Sequence, residues 1–158
     1  MSTPRIEEIL RRDPIRSLRL QPAASVPPSM LLHEVVAQMK SRRVAAAVVV
    51  ESGRVVGIFT ERDLLYRIVG LELNEQLTIR EAMTPSPRTL SPDDRIADAV
   101  RLMTDRGYRH IPLVDPEGRL VGLVAARDIV EFVARHFPKE VLNLPPDPDQ
   151  VLTRPEGG

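Results

Sequence analysis

The chain has 158 residues, of which 42% are hydrophobic and only 3% aromatic, so its core has to be built from aliphatic side chains. Twenty-two basic residues balance 22 acidic ones, which leaves no long-range field drawing the protein toward nucleic acid or an anionic membrane. With no cysteine, disulfides, thiolate metal sites and cysteine nucleophiles are excluded, and no apolar run approaches the ~18 residues of a membrane span.

Met1 to Pro14 is charged and lacks the apolar centre of a signal peptide, so a soluble, cytoplasmic protein is expected. Within Met1 to Pro22 only Ile6 to Leu10 suggests a short helix. An extended segment near Ala23 to Pro28 leads into an amphipathic helix. Its Leu31, Leu32, Val35, Val36 and Met39 follow the i, i+3, i+4, i+7 rule, and Pro28 stands just ahead of it, where proline is tolerated. Two short apolar runs, Ala45 to Val50 and Val55 to Phe59, flank the turn Glu51-Ser52-Gly53 and predict a β-hairpin. A second helix is expected over Glu61 to Val69. From Pro85 to Pro92 the chain reads as extended, and a helix follows with Ile96, Ala99, Val100 and Met103 on one face. Another hairpin is expected from Ile111 to Val114 and Leu120 to Val124 about Asp115-Pro116-Glu117-Gly118. A closing helix runs over Ala126 to Arg135. The proline-rich tail from Asn143 is expected to be extended or disordered, after Phe137-Pro138 and Val141-Leu142 dock on the body.

These elements occur twice in one order because the sequence repeats itself. Gly53, Arg54, Val56, Gly57, Arg62 and Asp63 reappear 65 positions later as Gly118, Arg119, Val121, Gly122, Arg127 and Asp128. Upstream the offset becomes 64, and Pro28, Val36, Met39, Arg42 and Val50 match Pro92, Val100, Met103, Arg106 and Val114. The chain divides into an N-terminal extension (1–16), a first repeat (17–72), a second repeat (80–138) and a C-terminal tail (139–158). One unit of about 60 residues is marginal alone. Two units packing their sheets together bury a shared core with pseudo-two-fold symmetry and leave two equivalent clefts at the seam.

The sharpest motif is Gly57-Ile58-Phe59-Thr60-Glu61-Arg62-Asp63, which ends a strand and starts a helix. A helix N-terminus offers free N–H groups and partial positive charge to an anion such as phosphate. Thr60 adds a hydroxyl, and the Asp63 carboxylate could accept both hydroxyls of a ribose. The same spacing also fits a purely local cap, with Thr60 as N-cap and Asp63 near the positive helix end. Two features favour a ligand. Asp128 persists where Ala125 removes the hydroxyl, and Arg62 and Arg127 both place a cation in a first helical turn, which is unfavourable locally. In the second constellation, Arg109-His110-Ile111-Pro112, the guanidinium fork suits phosphate and the imidazole adds a donor, although both could equally be solvated strand-end side chains. The matching positions of the first repeat are Ala45 and Ala46, so the two clefts are chemically unequal.

Nothing in the sequence has a catalytic pattern. His33, His110 and His136 lack metal-ligand spacing. No Ser-His-Asp arrangement, P-loop or dinucleotide fingerprint is present. Glu7-Glu8 and Asp93-Asp94 read as helix-end charges.

From about Ser17 to Pro138 the chain resembles the CBS domain. The resemblance rests on the motif from Gly57 to Asp63, on Met83-Thr84 with Thr89-Leu90-Ser91-Pro92, and on Tyr108-Arg109-His110-Ile111-Pro112-Leu113-Val114-Asp115. It implies an α/β (α+β) fold of two β-α-β-β-α units forming a CBS pair, or Bateman module. Such pairs commonly dimerise into a disc, bind AMP, ADP, ATP or S-adenosylmethionine, and regulate another protein or domain. By position, the resemblance implies that Asp63 holds ribose and that Thr60 meets ribose or phosphate. Arg109, His110 and Arg127 meet phosphate, Ile58 and Pro112 wall the adenine, and backbone near Arg88 meets the base edge. The second, weaker cleft would use Arg62 and Asp128 and is expected to be weak, empty or selective for a ligand with less phosphate. A non-catalytic regulatory module with no required cofactor, forming a homodimer, is therefore expected. A ligand-free dimerisation scaffold for an unknown partner is the alternative. No nucleic-acid or membrane partner is expected, for want of a basic stripe or stacking aromatics.

Overall fold

The computed structural model describes residues 5–20, 22–70 and 73–136; Phe137-Pro138, Val141-Leu142 and the proline-rich tail lie outside the described residues. After α1 (Ile6–Arg12) and a single 3-10 turn (Ile15–Ser17), the first repeat runs β1 (Ala24–Val26), α2 (Leu32–Arg42), β2 (Ala46–Glu51), β3 (Arg54–Thr60) and α3 (Glu61–Val69). A short α4 (Ile79–Ala82) and β4 (Thr84–Pro85) connect it to α5 (Ile96–Arg106), β5 (His110–Val114), β6 (Leu120–Ala125) and α6 (Ala126–His136). The first sheet has the order β1-β2-β3-β4, with β1 parallel to β2 and the other pairs antiparallel. In the second repeat β5 and β6 pair antiparallel. Leu90 makes a single parallel bridge to Leu113, in the place that Val26 holds beside Val49 in β1. Both units are thus the expected β-α-β-β-α, with the leading strand of the second cut to one bridge. Among the described residues, no helix is long and apolar enough to cross a membrane.

Local chemistry explains the hairpins. Ser52 and Gly53 both have positive φ, 52° and 78°, the requirement of a two-residue primed turn, whose twist matches that of the strands. The longer second turn takes positive φ at Gly118 and is tied by Asp115 Oδ1, which accepts the N–H of Glu117 at 3.0 Å and of Arg119 at 2.8 Å. This extra residue is the one that changes the repeat offset. On β3, the sulfur of Met83 packs directly over Gly57, where a Cβ would collide with it. The close approach keeps β4 hydrogen-bonded along β3, with Gly57 opposite Pro85 and Ile58 opposite Thr84.

Three apolar clusters hold the molecule. One lies inside each repeat, and a third, made of Ala46, Val48, Ile58 and Leu123 with Ala23, Val50, Val55 and Leu120, fills the seam between them. Arg54 and Arg119, equivalent residues at the two hairpin tips, bridge each other antiparallel. A residue meeting its own repeat equivalent marks the pseudo-two-fold axis.

The N-terminal segment is more than an extension. Ile15 donates its N–H to Asp94 O at 2.8 Å, Arg16 to Pro92 O at 2.9 Å, and Asp13 O accepts from Ile96 at 3.0 Å. Sixty-four positions on, Ile79 donates to Met30 O at 2.8 Å, Arg80 to Pro28 O at 3.1 Å, and Leu77 O accepts from Leu32 at 2.7 Å. Each repeat is therefore completed by the segment that precedes the other. Ile15 is fully buried in the second repeat's core beside Ile96, Ile111 and Phe132, whereas Ile79 is fully buried in the first repeat's core. Residues 1–16 were expected to stand outside both units; instead α1 packs on α5 and seats Ile6, Ile9 and Leu10 on that core.

Candidate functional site

The junction between β3 and α3 opens onto a cleft of ≈ 510 Å³. Thr60 is the N-cap of α3 in extended conformation, with φ −125° and ψ 166°. Its N–H and its hydroxyl both donate to Asp63 Oδ2, at 2.9 and 3.0 Å, while the Asp63 N–H returns to Thr60 Oγ1 at 3.3 Å. This is a complete capping box. It commits the single hydroxyl proton of Thr60, so toward a ligand Thr60 can only accept. Among the described residues Asp63 Oδ1 has no hydrogen-bond partner and remains available as an acceptor. The local cap and the ligand-facing position are therefore not alternatives, because the two carboxylate oxygens divide them.

The remaining walls come from separate parts of the chain. Ile58 lies at the bottom of the cleft, 8% exposed. One side is the segment Thr84 to Arg88. There Ser86 adopts the left-handed region at φ 47° and donates its N–H to Val56 O at 3.0 Å. The opposite side is Gly107 to His110, leading into β5 of the second repeat. Arg62 lies over the Tyr66 ring, 5.8 Å from its centroid, with Nη2 3.4 Å from the phenol oxygen. The cleft thus mixes acceptors (Glu61 and Asp63) with cationic donors (Arg62, Arg88 and Arg109), around apolar Ile58 and the Pro85 and Pro87 rings. Burial lowers the pKa of His110 below its ordinary 6.5, Arg109 adds to that, and Glu61 opposes it. The shift favours the neutral imidazole.

Six of the expected residues, Ile58, Thr60, Asp63, Arg88, Arg109 and His110, line this one cleft. Two do not. Pro112 is buried within β5, opposite Leu123, and its carbonyl accepts from Leu90 N at 3.1 Å. Arg127 lines a second cleft of ≈ 440 Å³ and pairs with Glu131 at 3.2 Å. Conversely, Arg62, expected in the second cleft, lines the first. Each cleft joins one helix start to the lead-in of the first hairpin strand of the other repeat (Gly107 to His110, or Arg43 to Ala46), and each arginine lies at the mouth of its own helix.

Asp128 is also placed differently. It is 1% exposed, and its Oδ2 accepts the Ala125 N–H at 2.8 Å. It keeps the backbone half of the cap that Ala125 cannot complete, which explains its persistence without a ligand. Nor is the second cleft poor in base. Arg43, Arg109, His110 and Arg127 line it with Pro22, Ala45, Ala46, Leu123 and Ala125. Tyr66, Ser86 and Arg43 also line the clefts without having been singled out by the sequence, and Tyr108 stood there only as part of the motif around Arg109. Only Tyr66 carried a signal, its i+4 spacing from Arg62; the others reach the clefts through turns whose direction no periodicity records.

The CBS domain family model matches residues 6–70 and 79–135. An uncharacterised protein of Methanopyrus kandleri is 31% identical over 128 residues, covering 80% of this chain and 61% of that protein. The chain thus spans about three fifths of that relative's length. The solved CBS domain protein of Pyrobaculum aerophilum complexed with AMP is 26% identical, with a TM-score of 0.68 over 78% of this chain and 99% of that one. A CBS domain pair solved with 5′-methylthioadenosine and S-adenosyl-L-methionine has a TM-score of 0.70 at 21% identity, over 78% and 97% of the two chains, and shares the fold.

Proposed function

The chain belongs to the CBS domain family, and on that premise we propose that it is a regulatory module that binds an adenine nucleotide in the cleft at the start of α3. The observation that carries this reading is the open Oδ1 of Asp63 in the same cleft as Arg62, Arg88 and Arg109. A carboxylate that accepts two hydroxyls suits a ribose, and guanidinium forks suit its phosphate. Ile58 and the proline rings supply an apolar surface for a base. The AMP complex of the Pyrobaculum aerophilum protein supports the same ligand class. The role is binding, not turnover: ligand favours one arrangement of the repeats, and a partner reads that arrangement.

The reading includes a homodimer. None of the nine residues of α3 is buried, and Leu65, Tyr66, Ile68 and Val69 are exposed along it, with Val130 exposed at the equivalent place on α6. Contiguous apolar surface of this kind marks an interface. A ligand-free scaffold would use the same helices, so dimerisation alone does not distinguish the two readings; nucleotide does.

The test is a thermal-shift series with AMP, ADP, ATP and S-adenosylmethionine on the wild type, Asp63→Ala and Asp63→Asn. Ligand at 100 times its Kd stabilises the native state by about 2.7 kcal/mol, a rise of roughly 5–10 °C for a chain of this size. Asp63→Ala also removes a cap, at about 1 kcal/mol, so each shift is measured from the variant's own unliganded Tm. Asp63→Asn retains the cap acceptor and isolates the loss of charge. A shift in the wild type that is lost in both variants supports the sensor. No shift with any compound at millimolar concentration rejects it in favour of the scaffold.

A further inference from the structure

The second cleft differs from the first in a way that selects a different ligand. Its polar side chains are Arg43, Arg109, Arg127 and His110; among the described residues, no carboxylate or hydroxyl side chain lines it. Asp128, the counterpart of Asp63, is turned inward onto Ala125 N–H, and Ala125 replaces the threonine. A sugar would find no carboxylate or hydroxyl side chain among the described residues there to accept its hydroxyl protons. The rest of the surface is apolar (Pro22, Val44, Ala45, Ala46, Leu123, Ala125 and Ala126). The cleft also holds the start of α6, a helix of 11 residues, whose N-terminus carries partial positive charge, although its first N–H, that of Ala126, already donates to Arg109 O at 2.9 Å. A cavity that carries guanidinium donors, and whose only side-chain acceptor among the described residues is one imidazole nitrogen, is complementary to a ligand rich in acceptors.

We propose that the second cleft is a phosphate-type oxyanion subsite, one that takes a phosphate or pyrophosphate group without a nucleoside. Arg43, Arg109 and Arg127 hold the anion. Ala45, Arg109 and His110 line both clefts, so the two sites abut and share two of their polar side chains. The anion has two possible sources: free inorganic pyrophosphate, or the distal phosphates of a nucleotide seated in the first cleft. The proposal takes the first cleft as a nucleotide site only for the second source.

Isothermal titration of the full chain with pyrophosphate, AMP and ATP tests this, using the wild type, Arg43→Asn/Arg127→Gln and Asp63→Asn. Asparagine is chosen at position 43 because that residue sits in the left-handed region at φ 55°, which asparagine tolerates. Loss of two charge-assisted contacts should weaken pyrophosphate binding by about tenfold or more, while AMP affinity changes less than about twofold. Asp63→Asn should do the reverse. If free pyrophosphate is the ligand, it binds alongside AMP and the ratio of ATP to AMP affinity is the same in the double variant. If distal phosphates are the ligand, the advantage of ATP over AMP collapses in the double variant. Pyrophosphate binding that is absent in the wild type, or indifferent to both arginines, overturns the subsite even where AMP binds. Pyrophosphate binding that depends on the arginines, with no AMP binding, upholds it and rejects the nucleotide reading instead.

Discussion

Truncating Ile15 tests how the molecule is put together. Ile15 is fully buried, and its neighbours Ile96, Ile111 and Phe132 all belong to the second repeat. Ile15→Ala removes three carbons, worth about 2.4 kcal/mol of transfer free energy at ~0.8 kcal/mol each. The cavity left behind adds to this, within the ~2–5 kcal/mol range of buried isoleucine truncations. A loss of about 3 kcal/mol corresponds to a fall in Tm of roughly 10 °C. If residues 1–16 were a loose extension, the same change would cost under about 0.5 kcal/mol. Urea unfolding measures the loss, and hydrogen exchange locates it. Amides of α5 and β5, such as Ala99 and Ile111, should lose more protection than Val48 in β2. The segment continues to Pro22, a wall of the second cleft, so pyrophosphate binding should weaken before AMP binding does. A loss under about 1 kcal/mol, or exchange concentrated in β1 and β2, would refute the crossed packing of the two leading segments.

Asp128→Ala should cost about 1–2 kcal/mol through the Ala125 N–H it leaves without that acceptor, with AMP affinity unchanged. Weaker nucleotide binding at undiminished stability would return Asp128 to a ligand role. Burial sets the pH response of His110, whose folded pKa lies below 6.5, with Arg109 acting in the same direction and Glu61 against it. As pH falls from about 6.5, the unfolded chain takes up a proton before the folded one, so native stability drops through that window down to the folded pKa. The urea midpoint of the wild type should therefore fall more between pH 7.5 and 5.5 than that of His110→Gln, and equal slopes would rule out a His110 pKa lowered by burial. If α3 forms the proposed dimer interface, replacing exposed Leu65 and Val69 by lysine should give a monomer in sedimentation velocity, with a Tm that no longer depends on protein concentration. An unaltered dimer would move the interface off α3.

Much of this protein was legible as local pattern. The aliphatic period of Leu32, Val35 and Met39 predicts α2, the Ser52-Gly53 turn predicts the first hairpin, and the repeat predicts that α5, β5, β6 and α6 follow in the same order. Sequence similarity likewise pointed to Ile58, Thr60, Asp63, Arg88, Arg109 and His110, because a strand end, a helix start and a strand lead-in are each contiguous segments. Ile15-Arg16 and Ile79-Arg80 also match at the upstream offset, but the segments are too short to show a period.

Other features were decided only in three dimensions. A repeat states which residues are equivalent, but not which copy a segment packs against, so nothing local could tell that Ile15 completes the second repeat and Ile79 the first. The same ambiguity exchanged Arg62 and Arg127 between the clefts. Asp63 and Asp128 are identical in sequence and opposite in circumstance. Thr60 lets one carboxylate cap its helix and still face the cleft, whereas beside Ala125 the other is buried with its cap. Periodicity and turn chemistry act between residues a few positions apart and can be read along the chain. Burial and the sharing of a cleft depend on which surfaces meet across the pseudo-two-fold axis, and that is settled by packing the whole core at once.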